Sequence, residues 1–154
     1  MLTVANGSTV LIVDDSPEQL MSLHQILRDS YEVVTARGGH AAVDLIEGGL
    51  TPDLVLLDFG MPDIDGVSLC GLFKMMPRLA KVPVLVLTAY ASEEIEEQVF
   101  SAGAVDFIAK PASPGALLAR VRTHLALYHS SERLARQNRQ LRDAARGVVT
   151  SALQ

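Results

Sequence analysis

Four short stretches carry side chains able to do chemistry. Asp14-Asp15 follow the apolar run TVLIV, and Asp58 closes LVLL and opens FGMPDIDG. Thr88-Ala89 follow VLVL, and Lys110-Pro111 follow DFIA. Three carboxylates brought together repel one another and need a cation. Donors that are all oxygen favour a hard ion such as Mg²⁺, which keeps waters and leaves a position for a phosphate oxygen. A lysine supplies a compact positive charge for phosphate, and a threonine hydroxyl can donate to a phosphoryl oxygen. The set suits phosphoryl transfer to a carboxylate nucleophile. Each piece alone is a weak signal, because aspartate is equally at home in turns and helix caps. Their joint placement has to decide.

The elements between these stretches alternate. Thr9–Val13 is β-branched and reads as a buried strand. Ser16-Pro17-Glu18-Gln19 then gives an N-cap, a proline at the first helical position and a capping-box partner. The helix shows Leu20, Leu23, Ile26 and Leu27 on one face and is expected to end near Asp29-Ser30. Tyr31–Thr35 reads as a second strand, Gly38–Glu47 as a short helix closed by Gly48-Gly49, and Asp53–Leu57 as a third strand ending at Asp58. Val67–Met76 is helical and Pro77 stops it; Pro83–Leu87 is a fourth strand. Ser92 caps a helix with Glu93 and Glu94 in its first turn, and Gly103 ends it. Val105–Ala109 is a fifth strand, and Ser113-Pro114 open the last helix.

Five strand–helix units predict a parallel sheet with helices on both faces, an α/β doubly wound fold. In such folds ligands bind beyond the carboxyl ends of the strands. Asp14, Asp15, Asp58, Thr88 and Lys110 all fall at those ends.

Composition fits this reading. The chain has 154 residues, 49% of them hydrophobic, with no Trp, so an aliphatic core for one domain plus an extension is expected. The single cysteine, Cys70, excludes an intrachain disulfide and a thiolate metal cage, and is expected to fill the core. The N-terminus MLTVANGSTVLIVDD lacks the pattern of a signal peptide, and no apolar run is long enough to cross a bilayer, so a cytoplasmic protein without membrane contact is expected. The net charge is −5 and unevenly spread. After residue 130 five arginines face Glu132 and Asp143, a net of +3, which leaves −8 on residues 1–130. An acidic body argues against nucleic acid as a direct partner.

Taken together the motifs resemble the response-regulator receiver family of two-component signalling. They are Val13-Asp14-Asp15, the run from Asp58 through Met61-Pro62 to Asp65-Gly66, Thr88-Ala89 and Lys110-Pro111. The resemblance covers about residues 8–128 and leaves 129–154 as a helical extension. It implies a flavodoxin-like (βα)5 fold with strand order 2-1-3-4-5. It implies Asp58 as phosphoacceptor from a phosphohistidine of a sensor histidine kinase or phosphotransfer protein. Asp14, Asp15, Asp58 and the Gly60 carbonyl would hold Mg²⁺ (or Mn²⁺), Thr88 and Lys110 would contact the phosphoryl group, and the Lys110–Pro111 peptide would be cis. Phe107 matches the aromatic switch position, which acts through the helix 4–strand 5–helix 5 face; as Phe it has no hydroxyl to hydrogen-bond. Gly60 and Tyr90 fall at variable positions near the phosphate. The domain would be a signalling switch, not a turnover enzyme.

Two competitors can be weighed on residues. A haloacid-dehalogenase-type phosphatase wants a second acid two residues after the nucleophile, where this chain has Gly60. A receiver-shaped scaffold that never takes phosphate would not need the complete acidic cluster. His24, His40, His124 and His129 are read as surface or packing residues, and Met75-Met76 as packing.

The tail has its own period. Leu127, Leu134, Leu141 and Val148 recur every seven residues, with His124, Ser131, Asn138 and Ala145 three positions before each. This reads either as a Leu-rich d seam with a mostly polar a seam, in which Asn138 fixes the register of a parallel dimer, or as a solvated helix. A homodimer through this helix or through the helix 4–strand 5–helix 5 face, and an output domain joined by the helix, are the partner expectations. The arginine series reads as an exposed helical stripe.

Overall fold

Residues of alternating parity in each strand point to opposite faces of the sheet, and here both faces are apolar. A computed structural model of the chain, which describes residues 7–153, shows the consequence. Leu11, Val13, Val55, Leu57, Val84 and Val86 build one core with Ala42, Ile46, Leu69, Phe73 and Val99. Val10, Ile12, Leu54, Leu56, Leu85 and Leu87 build the other with Leu20, Leu23, Leu27, Leu117, Val121 and Leu125. Each side chain of this size gains about 1.5–3 kcal/mol on leaving water. The sheet is therefore pinned from both sides.

The strands are β1 (Thr9–Val13), β2 (Glu32–Ala36), β3 (Leu54–Asp58), β4 (Val84–Thr88) and β5 (Asp106–Ala109). All neighbours pair in parallel, in the order β2-β1-β3-β4-β5. The helices are α1 (Pro17–Leu27), α2 (Gly39–Glu47), α3 (Gly66–Met75), α4 (Glu93–Ser101) and α5 (Pro114–Leu153). α1 and α5 cover one face and α2, α3 and α4 the other. This is the doubly wound (βα)5 fold that the alternation predicts.

Helix starts follow side-chain chemistry. Ser16, Ser92 and Asp65 each accept a backbone N–H three residues on, from Gln19, Ile95 and Ser68. Four expectations need correction. α1 stops at Leu27, because Tyr31 N–H bonds back to Leu27 O and spends Tyr31 on the turn; β2 therefore begins at Glu32. β3 begins at Leu54, one residue later than expected, and ends at Asp58 as expected, with Phe59 N–H bonded to Leu87 O. The reciprocal half of the Ser16 capping box is not made by Gln19: Ser16 N–H donates to Asp14 Oδ1 at 3.0 Å. Met75 is 81% exposed rather than packed, and only Met76 lies against the core.

α5 has 40 residues, about 60 Å of helix at 1.5 Å per residue. Leu117, Val121 and Leu125 dock it on the sheet, whereas every residue from Arg136 to Val148 is exposed. Among the described residues no helix is long and apolar enough to cross a membrane.

Candidate functional site

Parallel pairing brings the carboxyl ends of β1, β3, β4 and β5 to one edge of the sheet, and the reactive side chains arrive with them. Carboxylate oxygens of Asp14, Asp15 and Asp58 lie within 4.8 Å of one another. Lys110 reaches across from the end of β5. Its Nζ stands 2.8 Å from Asp58 Oδ1 and 3.1 Å from Asp14 Oδ2. Asp14 is 2% exposed and Asp58 9%, so these charges meet where water is scarce. Burial alone would lower the Lys110 ammonium; hydrogen bonds and charge from Asp58 and Asp14 outweigh it and hold the group above its ordinary value.

Thr88 ends β4, 2% exposed, and its Oγ1 accepts the Tyr90 N–H at 3.1 Å. Its own O–H stays available to donate. Lys110 N–H donates to Thr88 O at 2.8 Å, which ties the two loops together. The Lys110–Pro111 peptide is cis. Gly60 and the exposed Tyr90 line the same cleft, which holds about 230 Å³. That is below the usual range of small-molecule pockets, about 300–1,000 Å³, but ample for an ion and a phosphoryl group. Three carboxylates against one ammonium leave an excess of negative charge with oxygen-only donors, a set suited to a divalent cation.

Three aspartates lie within eight residues, and they have three different jobs. Asp58 points into the cleft. Asp65 caps α3, accepting Ser68 N–H at 2.8 Å and Ser68 O–H at 2.9 Å, and these bonds hold its carboxyl below the ordinary value. Asp63 reaches back to α2, whose N-cap position is Gly38 and offers no side chain. Its carboxylate accepts N–H groups from His40 at 3.0 Å, Gly39 at 3.1 Å and Ile64 at 2.8 Å. The His40 bond is the main reason that its pKa falls from 3.8 to about 2. Asp63 thus caps a helix from 24 residues away. The sequence does hold the signal: a helix that starts at Gly38-Gly39 without a capping side chain needs an acceptor from elsewhere.

Gly66 explains the second glycine of this run. A Cβ there would sit 2.6 Å from Asp58 O and 2.7 Å from Phe59 Cα. α3 therefore starts in contact with the backbone that carries Asp58.

Phe107 is half-buried against the core that contains Val86 and Val99. Its neighbour Asp106, which sequence reasoning passed over, joins β5 to α5. Asp106 Oδ1 accepts Phe107 N–H at 2.8 Å and Arg120 Nη1 at 2.9 Å, and Oδ2 meets His124 Nε2 at 3.1 Å. His129 meets Ser8 Oγ at 3.1 Å. Neither histidine lines the cleft of Asp14, Asp15 and Asp58. Cys70 is fully buried in the core.

The family model described as the response regulator receiver domain matches residues 10–122. The chain belongs to the response-regulator receiver family. As a receiver domain it is a signalling switch rather than a turnover enzyme. It is 38% identical over 130 residues to a probable cyclic di-GMP phosphodiesterase of Vibrio cholerae, a match of 84% of this chain and 29% of that protein. It is 36% identical over 104 residues to the signal transduction histidine-protein kinase BarA of Escherichia coli, a match of 67% of this chain and 11% of that kinase. The receiver thus spans under a third of these two curated relatives. Among solved structures, a putative response regulator from Chloroflexus aurantiacus matches with a TM-score of 0.74 and 38% identity, covering 79% of this chain and 99% of that one.

Proposed function

We propose that Asp58 accepts a phosphoryl group from a phosphohistidine on a sensor histidine kinase or phosphotransfer protein. One observation carries the reading: Lys110 Nζ bridges Asp58 and Asp14 at 2.8 and 3.1 Å inside a three-carboxylate cluster. A carboxylate oxygen of Asp58 attacks phosphorus, the P–N bond breaks, and its electron pair leaves with the imidazole. The product is an acyl phosphate on Asp58.

Asp14, Asp15, Asp58 and the Gly60 carbonyl would hold Mg²⁺ (or Mn²⁺), which supplies charge to offset that building on the phosphoryl oxygens. Lys110 neutralises the same charge from the opposite side. The Thr88 hydroxyl, free to donate, turns to a phosphoryl oxygen and gives up its bond from Tyr90 N–H. That movement makes room on β4 for Phe107 to turn inward and so changes the surface formed by α4, β5 and α5. The two conformers coexist, and the acyl phosphate shifts their population. Residues 8–128 form the switch and 129–154 the helical extension that carries the change to an output or partner. The name of the Vibrio cholerae relative makes a cyclic di-GMP enzyme one output of that kind.

Incubation with Mg²⁺ and a small acyl-phosphate donor, followed by intact mass, tests the assignment. The wild type should gain one phosphoryl group, and Asp58→Asn and metal-chelated wild type none. Equal labelling of Asp58→Asn, or none in the wild type, would reject the site.

A further inference from the structure

Beyond Leu125, every exposed large apolar side chain among the described residues stands at one heptad position. These are Leu127, Leu134, Leu141 and Val148, exposed by 61, 58, 68 and 69%. They lie about 120–180° round the helix from the side that docks on the sheet, at 100° per residue. From Arg136 to Val148 every residue is exposed, so a second helix can lie along this stretch clear of the receiver body. We propose that a second copy of this chain covers this face, as a parallel, in-register, two-stranded coiled coil over residues 124–148.

Charge placement points to a helix as the occupant. The a and d positions from His124 to Val148 hold no Asp, Glu, Lys or Arg. Glu132, Arg133, Arg136, Arg139, Asp143 and Arg146 all fall at b, c or f, on the outer surface. Arg142 alone takes an e position, and a parallel partner sets neutral Gln137 opposite it, so no like charges meet along the seam.

The polar layers point to an identical partner. Ser131 and Asn138 occupy a positions beside leucines. Against an apolar helix they would be buried without hydrogen bonds, at a cost. Against their own copies, amide meets amide and hydroxyl meets hydroxyl. That happens only when the helices run parallel and in register, because an antiparallel pair sets a against d.

The seam also meets the switch. His124, its first a residue, is held by Asp106 Oδ2 at 3.1 Å, next to Phe107. The first layer of the dimer is therefore tied to β5.

Single cysteines test the geometry, and Cys70 is too buried to interfere. Leu127→Cys and Val148→Cys should each form same-site disulfide dimers on mild oxidation, and Arg139→Cys, at a b position, should not. A same-site disulfide needs Cα atoms about 5.5–6 Å apart, whereas an antiparallel pair would separate these ends by about 30 Å. In sedimentation, Leu134→Glu should raise the dimer dissociation constant by more than about tenfold. Leu134→Glu should still take one phosphoryl group, so failure of the dimer and failure of the phosphoacceptor site read out separately. A wild type that sediments as a monomer at millimolar concentration would overturn the proposal. So would disulfides that form only between Leu127→Cys and Val148→Cys in a mixture.

Discussion

The strand-end cleft and the C-terminal seam both hold side chains in unfavourable places. In the cleft, Asp14 and Asp58 are charges that have lost their water; in the seam, leucines are left in it. The origins differ. Lys110 and Asp14 are 96 residues apart, and only the parallel order of the sheet brings them together. The seam residues recur every seven positions on a single helix, and no tertiary structure is needed to align them. In the cleft the chain itself supplies a counter-charge, Lys110, to Asp14 and Asp58. Among the described residues nothing covers Leu127, Leu134, Leu141 and Val148, and the proposed partner for them is a second copy. The link between them is His124 on Asp106, so damage to the cleft's scaffold away from that link should change folding and phosphorylation and leave the unphosphorylated dimer alone.

Gly66→Ala should break the cleft's scaffold hardest. The added methyl meets backbone, at 2.6 Å from Asp58 O, and no side chain can swing away. Overpacking of this kind costs about 3 kcal/mol and moves the chain carrying Asp58. Urea denaturation should show the loss, and the labelling rate with a small acyl phosphate should fall beside it. Lys110→Ala should come next. It strips the ammonium from two carboxylates and should cost about 2 kcal/mol without metal, less than the ~3–5 of an enclosed pair because the cleft opens to water at Asp15. Mg²⁺ should restore part of that stability. Some phosphorylation should survive, because Asp58 keeps its nucleophile, but the phospho-dependent change at the α4–β5–α5 face should vanish. Amide exchange along β5 and α5 would report it. A normal phospho-dependent change in Lys110→Ala would mean that coupling does not run through the lysine.

Much of this was legible in sequence, for identifiable reasons. Five apolar runs separated by helical patterns encode a parallel sheet, and strand ends in such a sheet share an edge, so the sequence pattern alone groups Asp14, Asp58, Thr88 and Lys110. Boundaries moved by a residue or two wherever a single hydrogen bond decided them, as Tyr31 N–H does at the end of α1. What could not be read were contacts between segments without a shared pattern. Asp63 looks like a turn residue, and its service to α2 depends on how the β3–α3 loop lies across the Gly38-Gly39 backbone. Asp106 looks like an exposed strand start, and its grip on Arg120 and His124 exists only because α5 packs beside β5.

Asp63 supplies the smallest and most specific test of the separation. Its carboxylate stands beside the cleft in sequence, yet its contacts belong wholly to the scaffold. Asp63→Ala should remove the cap of α2 and cost about 1 kcal/mol at neutral pH. The folded pKa of about 2 lies below the ordinary 3.8, so the folded state favours the charged form. The stability it contributes is therefore complete above about pH 4, and is lost as the pH falls from there through about 2. Urea midpoints of wild type and Asp63→Ala should differ by the same amount at pH 7 and pH 5, and converge as the pH approaches 2. The dimer constant should not change across the pair. A gap that persisted undiminished at pH 2 would mean that the side chain acts by packing rather than by charge, and a shifted dimer constant would mean that the α2 cap and the C-terminal seam are coupled.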